Sequence, residues 1–258
     1  MILILESIED IDNKLLDQNN KIGKKMIKQR KIFIDCGANM GTGFSQLCNT
    51  VGVDENWEIF GFEPNEYAFD IYVENIKSEK YSFLNNKNFN LFQKAVWIED
   101  GYIQFCMEGL NETEYNNENG IWKKGIENHK KKYPLDSKLD IGIPASGGSC
   151  IKEMRDKHNR TPEHENLYTF EEPVSVECID FSKWIKDNFS KEDYIFVKMD
   201  IEGSEYKILP KMIEDGTMSY IDTLVIEWHD WIMPDFKSDT LHLQKQLQNL
   251  GVNVMPWG

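Results

Sequence analysis

At 258 residues with a formal net charge of −15, the chain can bury one substantial core but is too acidic for a nucleic-acid surface, which needs clustered Lys and Arg to track phosphates. No apolar run nears the roughly 20 residues of a membrane span, and Met1-Ile-Leu-Ile-Leu5 is too short and too soon followed by acids to act as a signal peptide. Five scattered cysteines without a Cys-x-x-Cys pair indicate neither a disulfide framework nor a zinc site, so the chain reads as cytoplasmic, without stable membrane insertion and without a nucleic-acid partner.

Apolar positions at loose helical spacing from Ile8 to Gln29, with Lys24, Lys25 and Lys28 towards the end, predict a leading helical segment over residues 1–30. Ile32, Phe33 and Ile34 then form a short apolar run that suits a strand buried on both faces. It runs into Asp35 and a turn with glycines at 37, 41 and 43, and Phe44 to Thr50 reads as the next helix. A strand, a glycine turn and a helix N-terminus form the general cradle for a nucleotide. A second apolar strand from Trp57 ends in Glu63, about 20 residues past the glycines, where a carboxylate can accept both hydrogen bonds of a ribose diol. Asp35 sits where a dinucleotide fingerprint normally has no acid, whereas a methionine ammonium needs an anionic acceptor.

A helix near Glu66 to Lys77, a third strand near Asn90 to Trp97 and, after the turn Asp100-Gly101, a further strand from Tyr102 to Met107 continue the pattern. From about 108 to 172 the chain is rich in Asn, Glu, Lys and His and poor in apolar periodicity, which predicts an irregular insertion forming a substrate cap. Its cationic groups, Lys130-Lys131-Lys132 and the set Arg155, Lys157, His158 and Arg160, are candidates to hold an anionic acceptor. A strand from Val174 leads to a short helix, and the strand Tyr194 to Met199 ends in Asp200, Glu202 and Gly203 before a new helix. The strand read from Ile221 to Asp230 adds Glu227, His229 and Asp230 to the same carboxyl edge, where open α/β sheets bind ligands. Thr240 to Leu250 predicts a helix, and the residues from Val252 suffice for a sixth strand but not for an antiparallel seventh. The alternation over residues 31–258 predicts one α/β domain with a doubly wound, mostly parallel, Rossmann-like sheet.

The ordered series Phe33-Ile-Asp-Cys-Gly-Ala-Asn-Met-Gly41, Gly61-Phe-Glu-Pro64, Gln93-Lys-Ala-Val-Trp97, Gly147-Gly-Ser-Cys150, Val197-Lys-Met-Asp-Ile-Glu-Gly-Ser-Glu205 and Val225-Ile-Glu-Trp-His229 resembles the FkbM-type S-adenosylmethionine-dependent methyltransferases. The likeness spans about Lys31 to Gly251 and implies a class I methyltransferase fold acting on hydroxyls of sugars, glycans or small polar or anionic metabolites. It assigns Asp35, Gly37, Ala38, Asn39, Gly41 and Thr42 to the methionine side of the cofactor, Glu63 to the ribose, Ala95 and Val96 to the adenine, and Asp200 to the methyl-transfer site. Ser149 is expected to help close the pocket, although Cys150 stands where the family often carries a second serine.

A hydroxyl is a weak nucleophile until deprotonated, so a base within hydrogen-bond reach contributes roughly a hundredfold or more. Asp200, Glu202 and His229 are the candidates; Lys198, which shares a strand face with Asp200, is a base if burial lowers its pKa, an ion pair with a neighbouring acid being the more ordinary reading. No metal is expected, the alternative being chelation by Asp200, Glu202, Glu227 and His229. Two other readings stay open. A nicotinamide oxidoreductase fits the glycine turn and Glu63 but leaves Asp35 and Asp200 unexplained, and a non-catalytic nucleotide-binding module leaves the converging acids without a task.

Overall fold

The computed structural model describes residues 30–77, 88–110, 148–159, 168–170 and 172–257. The leading segment before residue 30, the Lys130–Lys132 run and Arg160 lie outside them. The main sheet is built from β1 (Lys31–Cys36), β2 (Trp57–Phe62), β3 (Phe89–Phe92), β10 (Tyr194–Met199), β11 (Thr223–Ile226) and β12 (Asn253–Pro256). They lie in the order β12-β11-β10-β1-β2-β3, every pairing parallel. This is the doubly wound sheet the alternation predicts, and among the described residues no antiparallel strand joins it. The order reverses between β1 and β10, the switch point where connections leave in opposite directions and open a crevice.

Both faces are covered, as parallel sheets require. Side chains alternate along β1, so Ile32, Ile34 and Cys36 enter one core with Phe60, Phe62, Val197 and Met199, while Phe33 enters the other with Phe44, Leu47, Ile59 and Phe196. Helix α1 (Thr42–Val51) covers this second face, and α2 (Glu66–Asn75) follows β2. The Asn65 side chain caps α2 by accepting the N–H of Tyr67 at 3.1 Å, satisfying one of the donors a helix start leaves over. On the first face lie α4 (Phe181–Asn188), capped by Asp180, and α5 (Glu205–Glu214); α6 (Lys237–Asn249) precedes β12.

Two expected boundaries move. The strand expected from Asn90 to Trp97 is two strands in different sheets: β3 ends at Phe92, and β4 (Ala95–Trp97) joins β9 (Val174–Asp180), β5 (Gly101–Cys106) and β7 (Cys150–Ile151) in a second sheet. The strand expected to reach Asp230 ends at Ile226, because Glu227 closes it by donating its N–H to Met199 O and a 3₁₀ turn begins at His229. The insertion is also less irregular at its margins than its composition suggests. Its ends pair as antiparallel strands β6 (Glu108–Leu110) and β8 (Tyr168–Phe170), and β7 leads directly into a one-turn helix, α3 (Lys152–Arg155).

Candidate active site

The carboxyl ends of β1 and β10 meet with almost no space between them. Asp200 donates its N–H to Cys36 O at 3.1 Å, and a Cβ on Gly37 would lie 1.7 Å from Asp200 O. Gly37 is also left-handed, with φ +71°, so both contact and conformation demand glycine. The turn then folds over β2, with Gly37 and Ala38 donating to Phe62 O at 3.1 and 2.9 Å. Among the described residues two non-glycines hold left-handed conformations, Asn39 at φ 49° and Glu202 at φ 53°, and both face the same cavity.

That cavity opens along the switch point and is walled by the ends of β1, β2, β4, β7 and β10. Of the residues singled out in the sequence, Gly37, Asn39, Glu63, Ala95, Val96, Ser149, Asp200, Glu202 and Glu227 line it. The described lining holds four carboxylates, Glu63, Asp200, Glu202 and Glu227, and no basic side chain. Glu63 is held by backbone alone: its Oε2 accepts the Asn39 N–H at 2.7 Å and its Oε1 the Asn65 N–H at 2.8 Å. Burial raises its pKa to about 7 despite those hydrogen bonds. Ser149 Oγ accepts the Glu108 N–H at 2.9 Å, which fixes the lip formed by β6 and β7.

Asp35 is fully buried behind the wall rather than at it. It pairs with Lys198, its register partner on β10, at 3.5 Å and accepts the Phe44 N–H at the start of α1 at 3.2 Å. Lys198 also donates to Gly37 O at 2.9 Å and pairs with Asp200 Oδ2 at 3.1 Å. Burial would lower the Lys198 pKa, but Asp200 and Asp35 together raise it, so the ammonium is retained and cannot serve as a base. Ala38, Gly41 and Thr42 also stand off the lining and shape the turn and the helix start instead. Arg155 and His158 are not at the lining either, so the expectation that they hold an anionic acceptor is not met by the described cavity.

His229 is 1% exposed. Its Nδ1 lies 3.0 Å from Glu205 Oε1, and its Nε2 faces Glu202 at 3.5 Å, Asp200 at 3.8 Å and Glu227 at 4.0 Å. Burial favours the neutral ring, but Glu205 and Glu202 outweigh it and hold the pKa well above 6.5. These carboxylates favour the protonated ring, which donates hydrogen bonds rather than accepting a proton. Asp200, Glu227 and His229 bring ligand atoms within 4.8 Å of one another, the geometry in which a carboxylate pair and an imidazole could share a cation. Glu227 changes most against expectation. Burial first, and then the charge of Asp200, raise its pKa to about 7, which places a cavity-facing carboxyl near neutrality.

Fold and cavity together define a doubly wound α/β protein with an acid-lined ligand site at its switch point. A family model, the Methyltransferase FkbM domain, matches residues 35–253. The chain belongs to that family and is a methyltransferase. Neither the curated proteins nor the solved structures yield a match. Among the described residues no helix is long and apolar enough to cross a membrane.

Proposed function

We propose that the chain is a cytoplasmic S-adenosylmethionine-dependent O-methyltransferase acting on a hydroxyl of a sugar, glycan or other small polar metabolite. One observation carries this reading: the described cavity presents four carboxylates and no basic side chain. A donor bearing a sulfonium and an ammonium suits such a lining, whereas the pyrophosphate of a nicotinamide dinucleotide would face like charge. The glycine cradle supports the same reading, since a Cβ at Gly37 would fill the turn against Asp200. Five cysteines kept as thiols accord with a reducing compartment.

Gly37 and Asn39 would hold the donor through their backbone, Glu63 its ribose, and Ala95 and Val96 its adenine, with Asp200 facing its cationic end. When bound, the donor supplies an already activated methyl, so the protein's work is alignment and exclusion of water. Glu227 would take the hydroxyl proton as the acceptor oxygen gains the methyl and the sulfonium, losing it, leaves as a neutral thioether, a task its pKa near neutrality suits. Asp200, tethered by Lys198, keeps the reacting groups in line. The acid lining also favours a neutral polyol over a phosphorylated acceptor.

Calorimetry with S-adenosylmethionine, S-adenosylhomocysteine and NAD tests the cofactor, the first two being expected to bind. Binding of NAD alone would sink the reading. Methyl transfer assayed over neutral and phosphorylated sugars then tests the acceptor.

A further inference from the structure

Glu205 is the first residue of α5, a position where an acid ordinarily serves only the helix dipole. Here it is fully buried and shares its oxygens among three donors. Oε2 accepts the Gly203 N–H at 2.9 Å, and Oε1 accepts both the His229 N–H and the His229 ring, each at 3.0 Å. One carboxylate thus ties the loop after β10, which carries Asp200 and Glu202, to the loop after β11, which carries Glu227 and His229. Binding at Nδ1 leaves Nε2 to face the three cavity carboxylates. Gly203 is left-handed at φ +99°, so the loop that presents its N–H demands glycine.

We propose that Glu205 is a positioning residue which, acting through His229, sets the placement and charge of Asp200, Glu202 and Glu227. It does not line the cavity and touches no reacting atom. Among the described residues, the charged or titratable groups that bear on the pair are Asp200 and Glu202 from the β10 loop, Glu227 from the β11 end, Lys198 behind Asp200, Glu108 near Glu202, and Tyr206 beside Glu205 on α5. Without Glu205, His229 loses the partner that keeps it cationic. Glu202 and Glu227, whose proton affinity the charged ring lowers, then hold protons more tightly. The inference rests on the methyl-transfer reading for its kinetic part alone.

Glu205→Gln keeps the shape and removes the charge. Its kcat should fall about tenfold or more, with KM for donor and acceptor changed less than about threefold, and the acid limb of the kcat profile should move up by about one pH unit. Glu205→Asp restores charge with shorter reach and should return the limb while recovering only part of kcat. Should Glu205→Gln not fold, His229→Gln should move the limb the same way, and the double variant should add little to either single. An unmoved limb in all these variants overturns the proposal. Histidine ¹⁵N NMR of the wild-type protein is independent of activity: of its five histidines, the one missing in His229→Gln should stay protonated above pH 7. If that ring titrates as free imidazole does, the proposal fails even if the protein methylates. If it stays protonated in a protein that binds no methyl donor, the functional reading fails instead.

Discussion

The two halves of the cavity are built in opposite ways. On the β1 and β2 side, backbone does the holding: Glu63 is clasped by the N–H groups of Asn39 and Asn65, and Gly37 admits the neighbouring strand end by having no side chain. On the β10 and β11 side, charge does it, with Asp200, Glu202 and Glu227 arranged around the buried cations Lys198 and His229. A backbone cradle has one shape and answers to sterics, so its variants should change binding. A charge cluster answers to protonation, so its variants should change rate and pH dependence.

The largest effect should come from the cradle. Gly37→Ala places a methyl 1.7 Å from Asp200 O at a φ of +71°, and no side chain can yield because the obstacle is backbone. Loss of S-adenosylhomocysteine binding by at least about a hundredfold is expected, with a lowered melting temperature. Calorimetry on the folded fraction reads it, and near-normal affinity would show the cradle to be looser than its contacts imply.

On the charged side, Glu227→Gln should lower kcat about a hundredfold by removing the base, and Asp200→Asn at least about tenfold by loosening alignment. Neither should alter the fold, since both side chains face the cavity. S-adenosylhomocysteine affinity should stay within a few-fold in Glu227→Gln. Single-turnover kinetics separates the two, and the assignment of the base fails if Glu227→Gln turns over normally. Back in the cradle, Glu63→Ala should weaken cofactor binding about tenfold, the scale of a lost charged hydrogen-bond acceptor, with kcat at saturation nearly unchanged.

The cradle was also the more legible half. β1 and β2 are apolar runs that end in a glycine turn and in Glu63, and each feature is local in the chain. Asp200 and Glu202 were legible as a strand end for the same reason. Lys198 was legible in part: the ion pair with Asp200 follows from their shared strand face, but its further partners Asp35 and Gly37 lie at the end of a strand adjacent in space and 161 residues away at Gly37. Glu205 was hidden by looking ordinary: an acid opening a helix is what the helix dipole alone would select. The break between β3 and β4 was equally hidden, since Gln93-Lys94 gives no stop signal and only the second sheet claims Ala95 to Trp97. The one available cue to the Glu205–His229 pair was a second acid in Glu202-Gly-Ser-Glu205 ahead of a strand ending near a histidine.

The smallest effect concerns stability and reaches both halves at once. Glu63 and Glu227 are each raised from 4.5 to about 7 in the folded protein, chiefly by burial. Between those values these two groups bind more protons in the folded state than in the unfolded chain, so their contribution to stability falls as pH rises from about 4.5 to 7 and is constant above it, while His229, raised above 6.5, adds a separate fall at higher pH that is common to both proteins. Glu227→Gln removes one of the two groups and should flatten that fall, gaining a few degrees in melting temperature at pH 8 relative to wild type and nothing at pH 4. Saturating S-adenosylhomocysteine should flatten it through Glu63 instead, because a ribose diol donates to the ionised carboxylate. Thermal scans from pH 4 to 8 on both proteins, with and without S-adenosylhomocysteine, keep the contributions apart. Parallel curves for wild type and Glu227→Gln would mean that Glu227 is ordinary in the folded state, and the base would then have to be sought at Asp200 or Glu202.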